Sequence, residues 1–454
     1  MVAIVAACTQ TAPAQPAPNP KTLTGSIGAA IYDIEVPSGW NGTLFLYSHG
    51  YVPPGGPAFA TASPSVDATA WLLSHHFAVA GSSYSSTGWA LPEAFTDQIA
   101  LLDYFEQHVR KPARVIAWGT SLGGMVTAGL IQLYPDRFAA AMPICGVLSG
   151  GIATWNLELD AAYAFRTLLA PASNLQVTHI TDPVANLQLA LDIVNRAAGT
   201  PAGQARIALV AALIDLPGWF DPRMPEPAAG DFAAREAAQA QWESRVDFTF
   251  AFRYRADVEQ RAGGNPSWNT GVDYARQLAL SPDRDEVAAL YSAAGLDLQA
   301  DVRALNAGAR VAADPGAAAY LDRNVTFDGR LNIPVLTMHT TGDGLVIPPN
   351  EGAYASAVGA AGSSAMLRQT FVHRAGHCAF TEAETVAALQ ALLERLDKGA
   401  WDDAALQPAA LNASALAQGE LENVFFGAPA PPAFVDFSPA PYPRPFPKGA
   451  SLPT

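Results

Sequence analysis

Positive charge, cysteine and long apolar runs are all scarce in this sequence. Lys and Arg number 26 against 41 Asp and Glu, leaving a net charge of −15 with no basic patch or run, which excludes nucleic acid and an anionic membrane surface as partners. No apolar stretch reaches the length a helix needs to cross a bilayer. Only three cysteines occur, Cys8, Cys145 and Cys378. If Cys8 serves another purpose, the other two make an even pair that is either bonded, in an oxidising compartment, or a pair of buried thiols acting as small hydrophobes. No fixed repeat period is visible, which excludes a solenoid. What is present is a 454-residue chain, half of it hydrophobic, enough for two or three domains or for one core with a large insertion.

The chain starts with a short apolar stub, then Val5-Ala6-Ala7-Cys8, then a Pro/Ala/Gln spacer. This resembles a bacterial lipoprotein leader, in which small residues precede a lipidated cysteine, although the basic n-region of an export signal is missing. The expectation is an exported protein, periplasmic, secreted or lipid-anchored at Cys8, with residues 1–24 as leader and spacer.

The organising stretch is Ala113 to Gly124, A-R-V-I-A-W-G-T-S-L-G-G. Val115 to Trp118 reads as a short buried strand and Met125 to Tyr134 as a helix ending before Pro135. Ser121 stands at the turn between them. A strand that reverses straight into a helix holds its turn residue in strained backbone and crowds the neighbours, so glycine is needed at Gly119 and Gly123. Such a turn lifts the hydroxyl out of the sheet, and the free N–H of Leu122 at the helix start faces any oxyanion formed there.

Strand patterns at Gly28–Val36, Thr43–Tyr47, Phe77–Gly81, Val115–Trp118, Phe138–Ile144, Ile333–His339 and Leu367–Val372 alternate with helical ones at Ser65–Ser74, Glu93–Val109, Asn350–Ala361 and Thr381–Leu396. That rhythm predicts an α/β fold with a mostly parallel sheet and helices on both faces. Between about 151 and 328 no strand alternation appears, and helical periodicity runs through Asp182–Ala198, Pro201–Leu213, Phe232–Tyr254 and Asp283–Leu305. The expected organisation is therefore a core in two parts, 25–150 and 329–398, a helical insertion over 151–328, and a Pro-rich tail, 399–454, whose aromatics point to packing along the surface.

Acyl transfer needs an activated hydroxyl, an imidazole that titrates near neutrality and a carboxylate to fix its tautomer. Ser121, Asp343 and His377 each follow an apolar strand, which puts all three at one sheet edge, where open α/β sheets bind ligands. Here the chain resembles the α/β-hydrolase family, through Ser48-His49-Gly50-Tyr51, Gly119-Thr120-Ser121-Leu122-Gly123, Gly342-Asp343-Gly344-Leu345 and Gly376-His377-Cys378. The resemblance covers roughly residues 25–150 and 330–398. It implies Ser121 as nucleophile, His377 as base, Asp343 as acid, the backbone N–H groups of Leu122 and Tyr51 as oxyanion donors, and a cap between the sixth and seventh strands. Tannase-like and feruloyl esterase-like members bond a cysteine beside the serine to one beside the histidine. Thr120 precedes Ser121 here, so Cys145, at the end of the neighbouring strand, is the substitute, and a Cys145–Cys378 bridge is expected.

His373, four residues before His377, is the rival base; His377 follows Gly376 at the loop apex and is preferred. Their spacing mimics a zinc pair, but no glutamate lies between them and the segment reads as a loop, so neither metal nor cofactor is expected. His339 reads as packed behind the site and His49 as shaping the oxyanion loop. The leading function is a serine esterase acting on a small or polymeric ester with an apolar or aromatic group, since Trp155, Trp219, Trp242 and Trp268 all fall in the insertion. The alternatives are a prolyl-type peptidase, ranked lower because no acidic pair fit to anchor an amine stands out, and a non-catalytic binding protein on the same fold.

Overall fold

The computed structural model describes residues 20–419 and 423–452; Cys8 and the lipoprotein-like stub lie outside them. Eight strands, β1 Lys21–Ile27, β2 Ala30–Val36, β3 Thr43–Ser48, β4 Ala78–Ser82, β5 Arg114–Thr120, β6 Ala140–Ile144, β7 Val335–Gly342 and β8 Leu367–Ala375, form one sheet in the order β1-β2-β4-β3-β5-β6-β7-β8, and a short tail strand, Phe434–Val435, extends its far edge. From β4 through β8 every pairing is parallel. This is the expected α/β-hydrolase architecture. The segment read as one strand from Gly28 is instead the second arm of an antiparallel hairpin that turns at Gly28-Ala29. Gly28 takes φ +60° there, a conformation glycine adopts without the Cβ penalty.

Strand alternation sorts side chains onto two helical layers. Leu44, Leu46, Val115 and Ala117 pack with the helices Leu91–His108, Leu122–Leu133 and Pro349–Ala360. Phe45, Tyr47, Ile116 and Trp118 face Val66–Ser74 and Glu382–Lys398. Both faces are thus dry, as a parallel sheet requires.

Between β6 and β7 the chain is helical, starting with Gly151–Leu169 and ending with Pro315–Arg323. It has a core of its own around Tyr163, Phe165, Phe248 and Phe252. The run read as one helix from Phe232 is α-helical to Trp242 and then passes through two π-helical turns, Glu243–Asp247 and Phe250–Tyr254. The run from Asp283 divides at Gly295, which ends one helix with φ +68°. Arg261 ties this layer to the sheet edge: it pairs with Glu93 at 3.0 Å and Asp257 at 3.1 Å, and Asp257 accepts the Trp89 N–H at 2.8 Å.

The tail both packs on the surface and enters the interior. Its helix Pro408–Leu416 lies against Glu382–Lys398, the tail strand pairs with β8, and Tyr442 is 6% exposed within a cluster of insertion residues.

Candidate active site

Ser121 sits between β5 and the helix Leu122–Leu133 at φ +60°, ψ −125°, a strained conformation costing about 1–3 kcal/mol, which the surroundings must impose. They do so by close packing. A Cβ on Gly123 would lie 1.9 Å from the Ser48 carbonyl oxygen, and one on Gly119 2.5 Å from that same atom. The Ser121 N–H donates to Ile144 O at 3.0 Å, fixing the turn against β6.

His377 accepts from Ser121 Oγ at Nε2, 2.8 Å away, and donates from Nδ1 to Asp343 Oδ2 at 2.7 Å. The second bond fixes the tautomer that leaves Nε2 free to take a proton. Gly376 makes the approach to His377 at φ +102°, and its N–H donates to Gly342 O at 3.0 Å. Asp343 is fully buried. Its Oδ1 accepts the N–H groups of Leu345 and Val346, both at 3.0 Å. Burial alone would raise its pKa; the His377 charge and the hydrogen bond and charge of His339 outweigh that and hold the carboxyl at about 2.

His339 lies directly behind, fully buried. Its Nε2 is 2.7 Å from Val346 O and 3.5 Å from Asp343 Oδ2, and its Nδ1 is 3.1 Å from Glu351 Oε1. Val346 O can only accept, so Nε2 carries a proton, and with Glu351 as a carboxylate Nδ1 must carry one too, which makes the ring an imidazolium. Burial opposes the charge, but Asp343 and Glu351 prevail and lift the pKa to about 10. His373, the rival base, is not in the loop. It lies on β8, half-exposed, 3.3 Å from Glu226, and has no contact with Ser121.

Leu122 and Tyr51 both line the cavity that holds Ser121. As the first helical residue, Leu122 has an N–H without an intrahelical acceptor. A Cβ on Gly50 would lie 3.2 Å from Ser121 Cβ, so the peptide carrying the Tyr51 N–H passes beside the serine. His49 shapes this turn: its Nδ1–H donates to Gly50 O at 2.7 Å and its ring stacks on Tyr84 at 4.1 Å. Burial lowers its pKa against two backbone hydrogen bonds.

Cys145 and Cys378 are bonded, with Cα atoms 5.4 Å apart, and Cys378 Sγ lies 3.4 Å from His377 Nε2. The bridge thus braces the loop that carries His377. The two sulfurs and His377 fall within 4.8 Å of one another, but the bond takes both thiolates that a metal would need.

A partly open cavity lies beside Ser121. Trp155, Leu157, Ile214, Leu216 and Phe250 wall it from the insertion, and Trp89, Val346 and Ile347 from the core. Sequence reasoning named Trp155 but missed Glu158, Asp247 and Tyr442, which also line it. Asp247 and Phe250 belong to the two π-helical turns, where the shifted register redirects side chains, a feature frequent at functional sites. Glu158 and Asp247 are an acidic pair that no sequence signal announced. Burial and each other's proximity raise Glu158 well above the carboxylate range, partly offset by Arg255, and burial lifts Asp247 to about 7. Of the tryptophans expected near a substrate, Trp242 and Trp268 pack internally: Trp242 lies against Gly344 and Trp268 against Phe446.

Residues 81–176 match the prolyl oligopeptidase family. Over 431 residues the chain is 29% identical to an o-phthalyl amidase from Xanthobacter agilis, covering 85% of this chain and 88% of that protein. Among solved structures it is similar to feruloyl esterase B from Aspergillus oryzae, with 13% identity, a TM-score of 0.44 and 84% and 81% of the two chains covered. It is also similar to an acylaminoacyl peptidase from Pyrococcus horikoshii, with 11% identity, a TM-score of 0.36 and 79% and 37% covered.

Proposed function

We propose that this chain is a serine hydrolase of the α/β-hydrolase superfamily, a reading supported by its similarity to the prolyl oligopeptidase family and to an amidase, and that it hydrolyses esters of carboxylic acids with a compact apolar or aromatic acyl group through an acyl-enzyme on Ser121. The observation that carries the reading is the continuous relay from Ser121 Oγ through His377 to Asp343, at 2.8 and 2.7 Å. In the proposed cycle His377 Nε2 takes the hydroxyl proton as Ser121 Oγ bonds to the substrate carbonyl carbon. The N–H groups of Leu122 and Tyr51 hold the resulting oxyanion. Collapse breaks the bond to the leaving group, which receives the proton from His377, and water repeats the sequence to release the acid.

Amide hydrolysis at the same residues is the second reading, favoured by the o-phthalyl amidase, whose similarity spans 85% of this chain. A phthalyl amide and a p-nitrophenyl benzoate assayed side by side separate the two. Preference for the amide assigns the chain to amidases; turnover of neither refutes hydrolysis of aromatic acyl groups. Placement in an oxidising compartment is part of the same proposal, supported by the Cys145–Cys378 bond.

A further inference from the structure

The cavity beside Ser121 is completed by a residue from the far end of the chain. Tyr442 belongs to the Pro-rich tail, yet it is buried and lines the same cavity as Ser121. Its ring packs in one apolar cluster with Leu157, Ile214, Leu216 and Ile347, four residues that also line the cavity. Two residues on, Arg444 anchors the tail. Its Nη1 lies 2.9 and 2.8 Å from the two carboxylate oxygens of Asp160, and its Nη2 donates to Trp268 O at 2.9 Å. Asp160 is fully buried, on the same insertion helix, Gly151–Leu169, as Trp155, Leu157 and Glu158. Phe446 then packs edge-on against Trp268 at 5.7 Å. A solvated tail gains nothing from a buried, hydrogen-bonded ion pair, because desolvating the charges costs several kcal/mol unless the geometry returns it. This pair fixes where the tail crosses the cavity.

The cavity also has a direction. Leu122 and Tyr51 line it, but His377 does not. A leaving group must stay within reach of His377 to receive its proton, so the group buried on the opposite, oxyanion side is the acyl group that remains on Ser121. We infer that Tyr442 is a specificity-determining residue: its ring is the wall that limits the acyl pocket to compact aromatic or branched groups and shuts out long straight chains, and the Arg444–Asp160 pair holds it in place. This rests on the reading of Ser121 as the acylated residue.

The test is kcat/KM on p-nitrophenyl benzoate and p-nitrophenyl octanoate for the wild type, Tyr442→Ala, Tyr442→Phe and the double variant Asp160→Asn/Arg444→Met, with Ser121→Ala as control. The wild type is expected to favour benzoate. Tyr442→Ala raises the octanoate-to-benzoate ratio at least tenfold, and Tyr442→Phe, which keeps the ring, retains the wild-type ratio. The double variant removes both charges together, so neither is left buried alone, and it moves the ratio in the same direction as Tyr442→Ala even if the latter folds poorly. A ratio within twofold of wild type in both the alanine and the double variant, with turnover still lost in Ser121→Ala, overturns the inference. Turnover surviving in Ser121→Ala overturns instead the reading of the site beneath it.

Discussion

Replacing His339 by Asn tests whether the acid of the relay depends on a buried cation. The imidazolium stands between two fully buried carboxyl groups, 3.1 Å from Glu351 and 3.5 Å from Asp343. Removing it takes the imidazolium from Glu351 and leaves Asp343 with His377 alone, and breaking a buried pair from one side costs about 3–5 kcal/mol. Linkage gives a similar magnitude. A pKa near 10 against 6.5 for the free side chain corresponds to about 5 kcal/mol. Because the folded value is the higher one, that stability is present in full below about pH 6.5 and is lost as pH rises through about 10. For a chain of 454 residues, a loss of about 3–5 kcal/mol lowers Tm by about 3–5 °C. Differential scanning fluorimetry is therefore expected to show that gap between wild type and His339→Asn at pH 6, narrowing towards pH 10 as the wild type gives up its imidazolium. The acid limb of the kcat/KM profile moves to higher pH in the variant, since Asp343 loses a charge that holds it ionised. The double variant His339→Gln/Glu351→Gln recovers part of the stability. A Tm gap independent of pH between 6 and 10 would refute the imidazolium.

Two other perturbations follow from the same chemistry. Asp247 is buried with a pKa lifted to about 7, so the stability associated with its neutral form is lost as pH rises through that value. Asp247→Asn should be more stable to denaturant than wild type at pH 9, by on the order of 4 kcal/mol, with the gap falling to about 2 kcal/mol at pH 5 and closing only below the free carboxyl's pKa; equal midpoints at pH 9 would contradict the burial argument. The Cys145–Cys378 bond closes a loop of sequence separation 233, worth about 5 kcal/mol by the chain-entropy estimate, and it braces the residue after His377. Dithiothreitol should lower the denaturant midpoint and activity together, whereas a fully reduced protein unchanged in both would remove the bridge from the account.

The parts of the site legible in the sequence are those whose cause is local. Gly119 and Gly123 are required by a strand that turns straight into a helix, and Asp343 and His377 follow the apolar runs of β7 and β8. Their meeting depends only on parallel strands ending at one edge. The misread pieces are those where a distant contact decides. The sequence puts His373 in a loop because the apolar run of β8 ends at Val372, but the pairings of Thr340 with Val372 and Gly342 with Ala375 carry the strand through it. Glu158 and Asp247 lie far apart in sequence, and the π-helical turns that bring Asp247 round leave no mark in a periodicity measured at 3.6 residues. Tyr442 follows Pro441 in a stretch whose composition reads as surface tail; its burial comes from distant contacts, the apolar cluster that receives its ring and the pairing of Arg444 with Asp160.

The central claim is that Ser121 becomes acylated. Rapid mixing with p-nitrophenyl benzoate, followed by acid quench and peptide mass mapping, tests it directly. A burst of p-nitrophenol equal to the enzyme concentration is expected, with a benzoyl group on the peptide that carries Ser121, and neither in Ser121→Ala. A benzoyl group on any other residue, or steady turnover by Ser121→Ala, would contradict it.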